Sequence, residues 1–167
     1  MTNTVHPSIE LLSSVRLLRA FRPDELETLL HMGTTVNVEA HSNVVIEGEL
    51  TWGVYFIIRG NVLIFKANRL TGESYDVGQL TQGNFFGEMS LVDSQPRSAS
   101  VKALDNCSLF FIDKEDFDRF ISESPDRKLR FYESCLKTVI NRLRETDENY
   151  VVSQYQLWKT ALKKEAA

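Results

Sequence analysis

The chain has 167 residues, 43% of them hydrophobic and 25% charged, with 19 basic against 23 acidic side chains. A chain of this length buries about two-thirds of its unfolded surface as one domain, so it needs neither a disulfide nor a metal to hold a core. No apolar run approaches the roughly 20 residues of a membrane span, and MTNTVHPSIE at the start lacks the basic opening and apolar stretch of a secretion signal, so the cytoplasm is expected and a membrane partner is not.

Ile9, Leu12 and Val15, then Leu26, Leu29 and Leu30, recur at helical spacing, and Pro23 precedes DELETLL as a first-turn proline. Two short helices are predicted across residues 8–32. From Thr34 to Asp113 the chain becomes a series of short β-branched and aromatic runs, among them WGVYFII, NVLIF and CSLFFI, divided by glycines and polar clusters. The fold class predicted is mainly β with flanking helices: an antiparallel β-roll of the jelly-roll or cupin-like double-stranded kind. Gly60-Asn61 reads as the two-residue turn of a tight hairpin. KEDFDRFI then gives a short amphipathic helix, and Ser124-Pro125-Asp126 opens a long one.

In that long helix Leu129, Tyr132, Leu136, Val139, Leu143, Tyr150 and Leu157 fall largely at alternating three- and four-residue steps, while Thr146 and Ser153 weaken the seam. About 40 residues without glycine or proline predict a helix about 60 Å long, which needs a partner. Charge separates this part from the rest: 10 basic and 17 acidic residues precede Pro125, against 9 basic and 6 acidic after it. Three segments are expected: helical residues 1–33, a β-roll over 34–122, and the long helix over 123–167.

Cys107 and Cys135 have no metal-ligand spacing and read as buried thiols. His6, His31 and His41 form no HxH or HExxH pattern, so no metal site is expected. Chemistry concentrates in GNFFGEMSLVDSQPRSASV, residues 83–101, which departs from strand alternation. A glycine ahead of EMSLV permits a sharp turn and exposes main-chain amides, and amides attract anions. Pro96 stiffens the loop, Arg97 offers a planar fork of donors, Ser98 adds a hydroxyl and Ala99 lets the main chain approach. These residues describe a phosphate site. Glu88 would repel a phosphate alone, so it requires a ligand that also carries a donor, such as a sugar hydroxyl.

FGEMSLVDSQPRSASV resembles the phosphate-binding cassette of cyclic nucleotide-binding domains, FGE(L/M)(A/S)L followed by PR(S/T/A)A. VVIEGELTWGVYFIIRGNVLIF is similar to the family's leading strands, with Gly48 and Gly60 at its turn glycines. The resemblance runs from about Leu18 to Thr146. It implies that Glu88 accepts the ribose 2′-hydroxyl and that Arg97 and Ser98 meet the cyclic phosphate. Main-chain amides at Gly87, Ser98 and Ala99 would take the remaining oxygens within a cassette that includes Met89 and Ser90, while Phe86, Val77 and Leu80 would line the apolar side.

The implied ligand is cyclic AMP, with cyclic GMP left open. Ser98 stands where a threonine often accompanies guanine preference, and Arg142-Leu143-Arg144-Glu145-Thr146-Asp147-Glu148 resembles the RLxxTSE run of the bacterial catabolite activator branch. Thr146 and Asp147 would then meet the base, Asp147 accepting from the adenine 6-amino group. Leu143 would bury against it as part of a lid.

No catalytic residue and no cofactor are expected, because the cassette holds no nucleophile paired with a base and no carboxylate cluster for a metal. The resemblance therefore implies a sensor whose long helix swings over the nucleotide, signalling to a second copy in a homodimer or to a separate protein effector. DNA is not an expected partner: the chain stops at Ala167 with no helix-turn-helix segment, and its charge is acidic overall. The alternative is an interaction or scaffold module of the same fold that has lost nucleotide binding.

Overall fold

The computed structural model describes residues 7–68 and 71–165. The predicted N-terminal helices arrive in three pieces: α1 (Ile9–Ser14), a 3-10 turn (Arg16–Ala20) and α2 (Pro23–Met32). Ser8 begins α1 by accepting the Leu11 N–H on its hydroxyl. Extended Val15 then breaks the helix before the 3-10 turn. Pro23 takes the first position of α2, where its missing N–H costs nothing.

Among the described residues eight strands follow: β1 (Thr34–Val38), β2 (Asn43–Val45), β3 (Gly53–Arg59), β4 (Val62–Ala67), β5 (Ser74–Leu80), β6 (Phe85–Phe86), β7 (Ser100–Ala103) and β8 (Cys107–Asp113). They form two antiparallel sheets, β1-β8-β3-β6 and β2-β7-β4-β5. One helical turn, α3 (Met89–Asp93), joins β6 to β7, and β8 leads into α4 (Lys114–Ser122) and then α5 (Pro125–Glu165). This is the expected antiparallel β-roll with flanking helices and a long C-terminal helix. Among the described residues no helix is long and apolar enough to cross a membrane. Cys107 and Cys135 are both buried and free.

One local expectation fails. Gly60-Asn61 turns the chain, with Gly60 at φ +93°, yet β3 and β4 do not pair and lie in different sheets. The reason is Asp105. Its carboxylate accepts Asn61 N–H at 2.8 Å and Asn61 Nδ2 at 2.6 Å, while Leu104 N–H donates to Asn61 O, so the turn is tied to the β7–β8 connection and becomes a corner between sheets.

The larger apolar core joins all three expected segments, running from Leu12, Leu18 and Leu29 through Phe56 and Phe110 to Phe117, Phe120, Phe131 and Cys135. A second cluster lies between the sheets around Val45, Ile57, Phe86 and Leu109. The root of α5 is held by an ionic cluster as well. Glu25, 4% exposed, accepts from Arg130 Nη2 at 2.7 Å, Arg130 Nη1 at 3.0 Å, Arg127 Nε at 3.2 Å and the Arg22 N–H at 2.8 Å.

Burial alone raises the pKa of Glu25, but the hydrogen bonds from Arg130, the Arg22 amide and Arg127 outweigh it and leave the carboxyl at about 2. A carboxyl depressed in the fold stabilises it above the unfolded value of 4.5 and loses that contribution as pH falls toward 2. Urea midpoints measured down this range should drop more steeply for the parent chain than for Glu25→Gln. Parallel curves would remove Glu25 as the cause.

Candidate functional site

Residues 83–101 fold as β6, a left-handed glycine, one helical turn and a return into β7. Phe86 is 3% exposed and stacks on Tyr55 at 5.0 Å, which anchors the start. Gly87 has φ +85°, so the chain reverses there and Glu88 heads α3. On the other side the VVIEGEL run clamps the return strand: Gly48 N–H donates to Arg97 O at 2.8 Å and Arg97 N–H to Glu49 O at 2.9 Å.

The Arg97 side chain is 6% exposed. Its Nε donates to Thr51 Oγ1 at 3.1 Å and its Nη1 to Gly53 O at 3.0 Å, with Gly87 O and Ser90 Oγ each at 3.4 Å. Its Nη2 is buried and has no partner. Burial pulls the guanidinium below its ordinary pKa, while Tyr55, Glu49 and Glu88 pull it back up. It stays cationic at neutral pH. A buried charge with one unfilled donor is costly until an anion arrives.

Glu88 faces the same hollow and is 4% exposed. Its carboxylate accepts from Arg142 Nη1 of α5, whose Nη2 donates to Phe85 O at 3.0 Å. The Arg142 guanidinium also lies 5.0 Å from the centroid of the Phe85 ring. The hollow measures about 180 Å³, and its lining includes Gly87, Glu88, Arg97, Ser98, Ala99 and Arg142. Val45, Ile64 and Val101 of the second sheet complete the wall with Phe86.

Gly87 is held to its residue type twice over. A Cβ there would press on Arg97 Nη1 and sit 2.7 Å from Gly53 O, at a φ that side chains rarely adopt. Gly87→Ala should cost about 1–2 kcal/mol of stability in a urea melt and weaken anion binding, since Arg97 must move. Unchanged melting and binding would show that the left-handed turn matters little.

Ser90 is buried, donating to Gly87 O at 2.8 Å and accepting Gly53 N–H at 3.2 Å, so it braces the turn. Met89 also lines the hollow and is half exposed, with its sulfur accepting from Ser98 Oγ. Two other expected wall residues stand elsewhere. Val77 is 56% exposed because a β-bulge skips it between the Ile64–Gly78 and Phe65–Asp76 pairs, and Leu80 packs into the second core cluster. Val45, Ile64 and Val101, on β2, β4 and β7, were not singled out in the sequence and supply that wall instead.

The expected lid residues do not line the hollow. Leu143 is 59% exposed, Thr146 Oγ1 donates to Arg142 O at 2.8 Å, and Asp147 is exposed. Phe131, Cys135 and Thr138 are buried, and Arg142 continues their stripe, whereas Leu143 lies about 100° farther round the helix. Arg142 is thus the α5 residue at the site. Its signal was present as the first letter of the RLxxTSE-like run. Among the described residues no group of three His, Cys, Asp or Glu could hold a metal, and His6 lies outside those residues.

Residues 35–124 match the family model of the cyclic nucleotide-binding domain. The chain belongs to that family. It is 32% identical over 131 residues to the cAMP-dependent protein kinase type II regulatory subunit of Drosophila melanogaster, covering 76% of this chain and 34% of that protein. It is 29% identical over 132 residues to the cyclic AMP receptor protein of Thermus thermophilus, covering 78% of this chain and 58% of that one. In structure it is similar to the catabolite activator protein of Thermus thermophilus, with a TM-score of 0.70 at 26% identity over 82% of this chain and 62% of the other. The chain therefore spans between about a third and three-fifths of these relatives.

Proposed function

We propose that this cyclic nucleotide-binding domain is a cyclic AMP sensor that changes conformation on binding and signals through α5. The observation that carries the reading is Arg97, a buried cation that lines the hollow and whose Nη2 has no hydrogen-bond partner. A ring-closed phosphate monoester would fill it. Ser98 and the amides around Gly87, Ser98 and Ala99 would take the other oxygens. Glu88 would accept the ribose 2′-hydroxyl, and the base would extend toward α5, where Thr146 and Asp147 stand one turn beyond Arg142. Two relatives named for cAMP support this choice of nucleotide.

The ribose and Arg142 compete for one carboxylate. Nucleotide binding would loosen the Arg142–Glu88 pair, and that contact, present in one state only, would let the ligand bias α5. The energy available is about 1–3 kcal/mol, the usual scale of coupling between sites. A second copy of the chain or a protein effector would read the change.

The same ion pair favours a second reading, an interaction module whose pocket is closed by its own helix. Calorimetry separates the two. Titration with cyclic AMP, cyclic GMP and 5′-AMP should give one site per chain, tightest for cyclic AMP and much weaker for the open-ring nucleotide. Saturation by none of them below millimolar concentration would favour the interaction module.

A further inference from the structure

Four sulfur-bearing side chains stand among the described residues, those of Met32, Met89, Cys107 and Cys135. Both cysteines are buried. Burial pushes the Cys107 thiol up to about 11 and raises that of Cys135 as well, so neither carries the thiolate that a peroxide attacks. Met32 packs partly buried against the larger core. Met89 is the exposed sulfur of the four, at 52%. A thioether needs no deprotonation to be oxidised, only access.

Met89 also stands where its oxidation state would be felt. It opens α3 directly after Glu88, and it lines both the hollow beside Arg97 and an apolar groove of about 320 Å³ between α3 and α5. Its sulfur accepts the Ser98 hydroxyl at 3.6 Å. A thioether is a weak acceptor, so that hydroxyl turns to a phosphate at little cost. A sulfoxide is polar, and its oxygen carries partial negative charge; it would hold the hydroxyl and repel a phosphate beside it.

We infer that Met89 is a peroxide-oxidised site, and that its sulfoxide keeps Ser98 from the phosphate and so lowers nucleotide affinity. With hydrogen peroxide the sulfur lone pair attacks one oxygen, a S–O bond forms as the O–O bond breaks, and the other oxygen leaves as hydroxide. That hydroxide takes the proton of the transferred oxygen and becomes water. The sulfur loses two electrons and the peroxide gains them. The effect on affinity rests on the sensor reading; the site of oxidation does not.

Mild treatment of the full chain with hydrogen peroxide, followed by peptide mass spectrometry, should place oxygen on Met89 ahead of Met32, Cys107 and Cys135. Calorimetry should then show cyclic AMP binding about tenfold weaker, the scale of one hydrogen bond to a charged group, and a methionine sulfoxide reductase should restore it. Met89→Leu should give one affinity before and after peroxide, and Ser98→Ala should narrow the gap between the oxidised and reduced forms. Oxygen landing first on another of these sulfurs, an unchanged affinity in chains carrying the Met89 sulfoxide, or the full loss in either variant overturns the inference. Met89 oxidised first in a chain that never binds cyclic AMP supports the modification site and overturns the sensor reading.

Discussion

Arg97→Ala should weaken cyclic AMP binding by about 2–5 kcal/mol, roughly thirtyfold to several-thousandfold, when measured by calorimetry. The size follows from burial. Arg97 is 6% exposed, and its Nη2 has no protein partner to compensate it. An anion meeting that donor replaces an unsatisfied group with a charge-assisted bond in a site shielded from solvent. Arg97 also spans Thr51, Gly53 and Ser90, so truncation loosens the loop itself. Arg97→Lys resolves the two contributions: the charge remains, but a single ammonium cannot serve Thr51, Gly53 O and a phosphate together. The lysine variant should melt close to the parent chain and still bind at least tenfold more weakly. Parent-like affinity in both variants would remove Arg97 from the site.

Glu25→Ala should lower unfolding stability by about 3 kcal/mol, the scale of breaking a buried ion pair from one side. Two arginines share that one buried carboxylate, and their other acid partners, Glu123 for Arg127 and Asp126 for Arg130, are exposed. Arg127 and Arg130, with side chains 16% and 23% exposed, would lose their common partner while remaining wedged between the N-terminal helices and α5. Phe21 stacking against Phe131 at 6.3 Å and Ser134 Oγ donating to Leu17 O at 3.2 Å would still join these elements. The variant should therefore fold but unfold at lower urea. Because the cluster sits at the root of α5, the loss should leave the first step of nucleotide binding intact while weakening its effect on the helix. A urea midpoint equal to that of the parent would show that the apolar contacts suffice.

The sequence was most informative where local rules decide structure. The helix starts at Pro23 and Pro125, the alternation of the strands and the FGEMSL turn all depend on residues close in the chain, and the roll follows from them. Gly60-Asn61 was misleading because its partner, Asp105, stands 44 residues away and converts a hairpin turn into a corner. Val77 was displaced by a bulge, which no alternation pattern reveals. In the site, Glu88 and Arg97 were legible from their motif. The residue that closes on Glu88 was harder to see, since Arg142 acts 54 positions away and its role depends on the register of a 41-residue helix. The lid expectation placed Leu143 against the base of a bound nucleotide, and without nucleotide Leu143 stands exposed beside Arg142.

The most direct measurement is a crystal structure of the chain with cyclic AMP. A phosphate oxygen should lie within hydrogen-bond distance of Arg97 Nη2, with the ribose 2′-hydroxyl on Glu88 and Arg142 withdrawn from that carboxylate. A nucleotide bound elsewhere, or an Arg97 Nη2 still without a partner in the saturated crystal, would contradict the account.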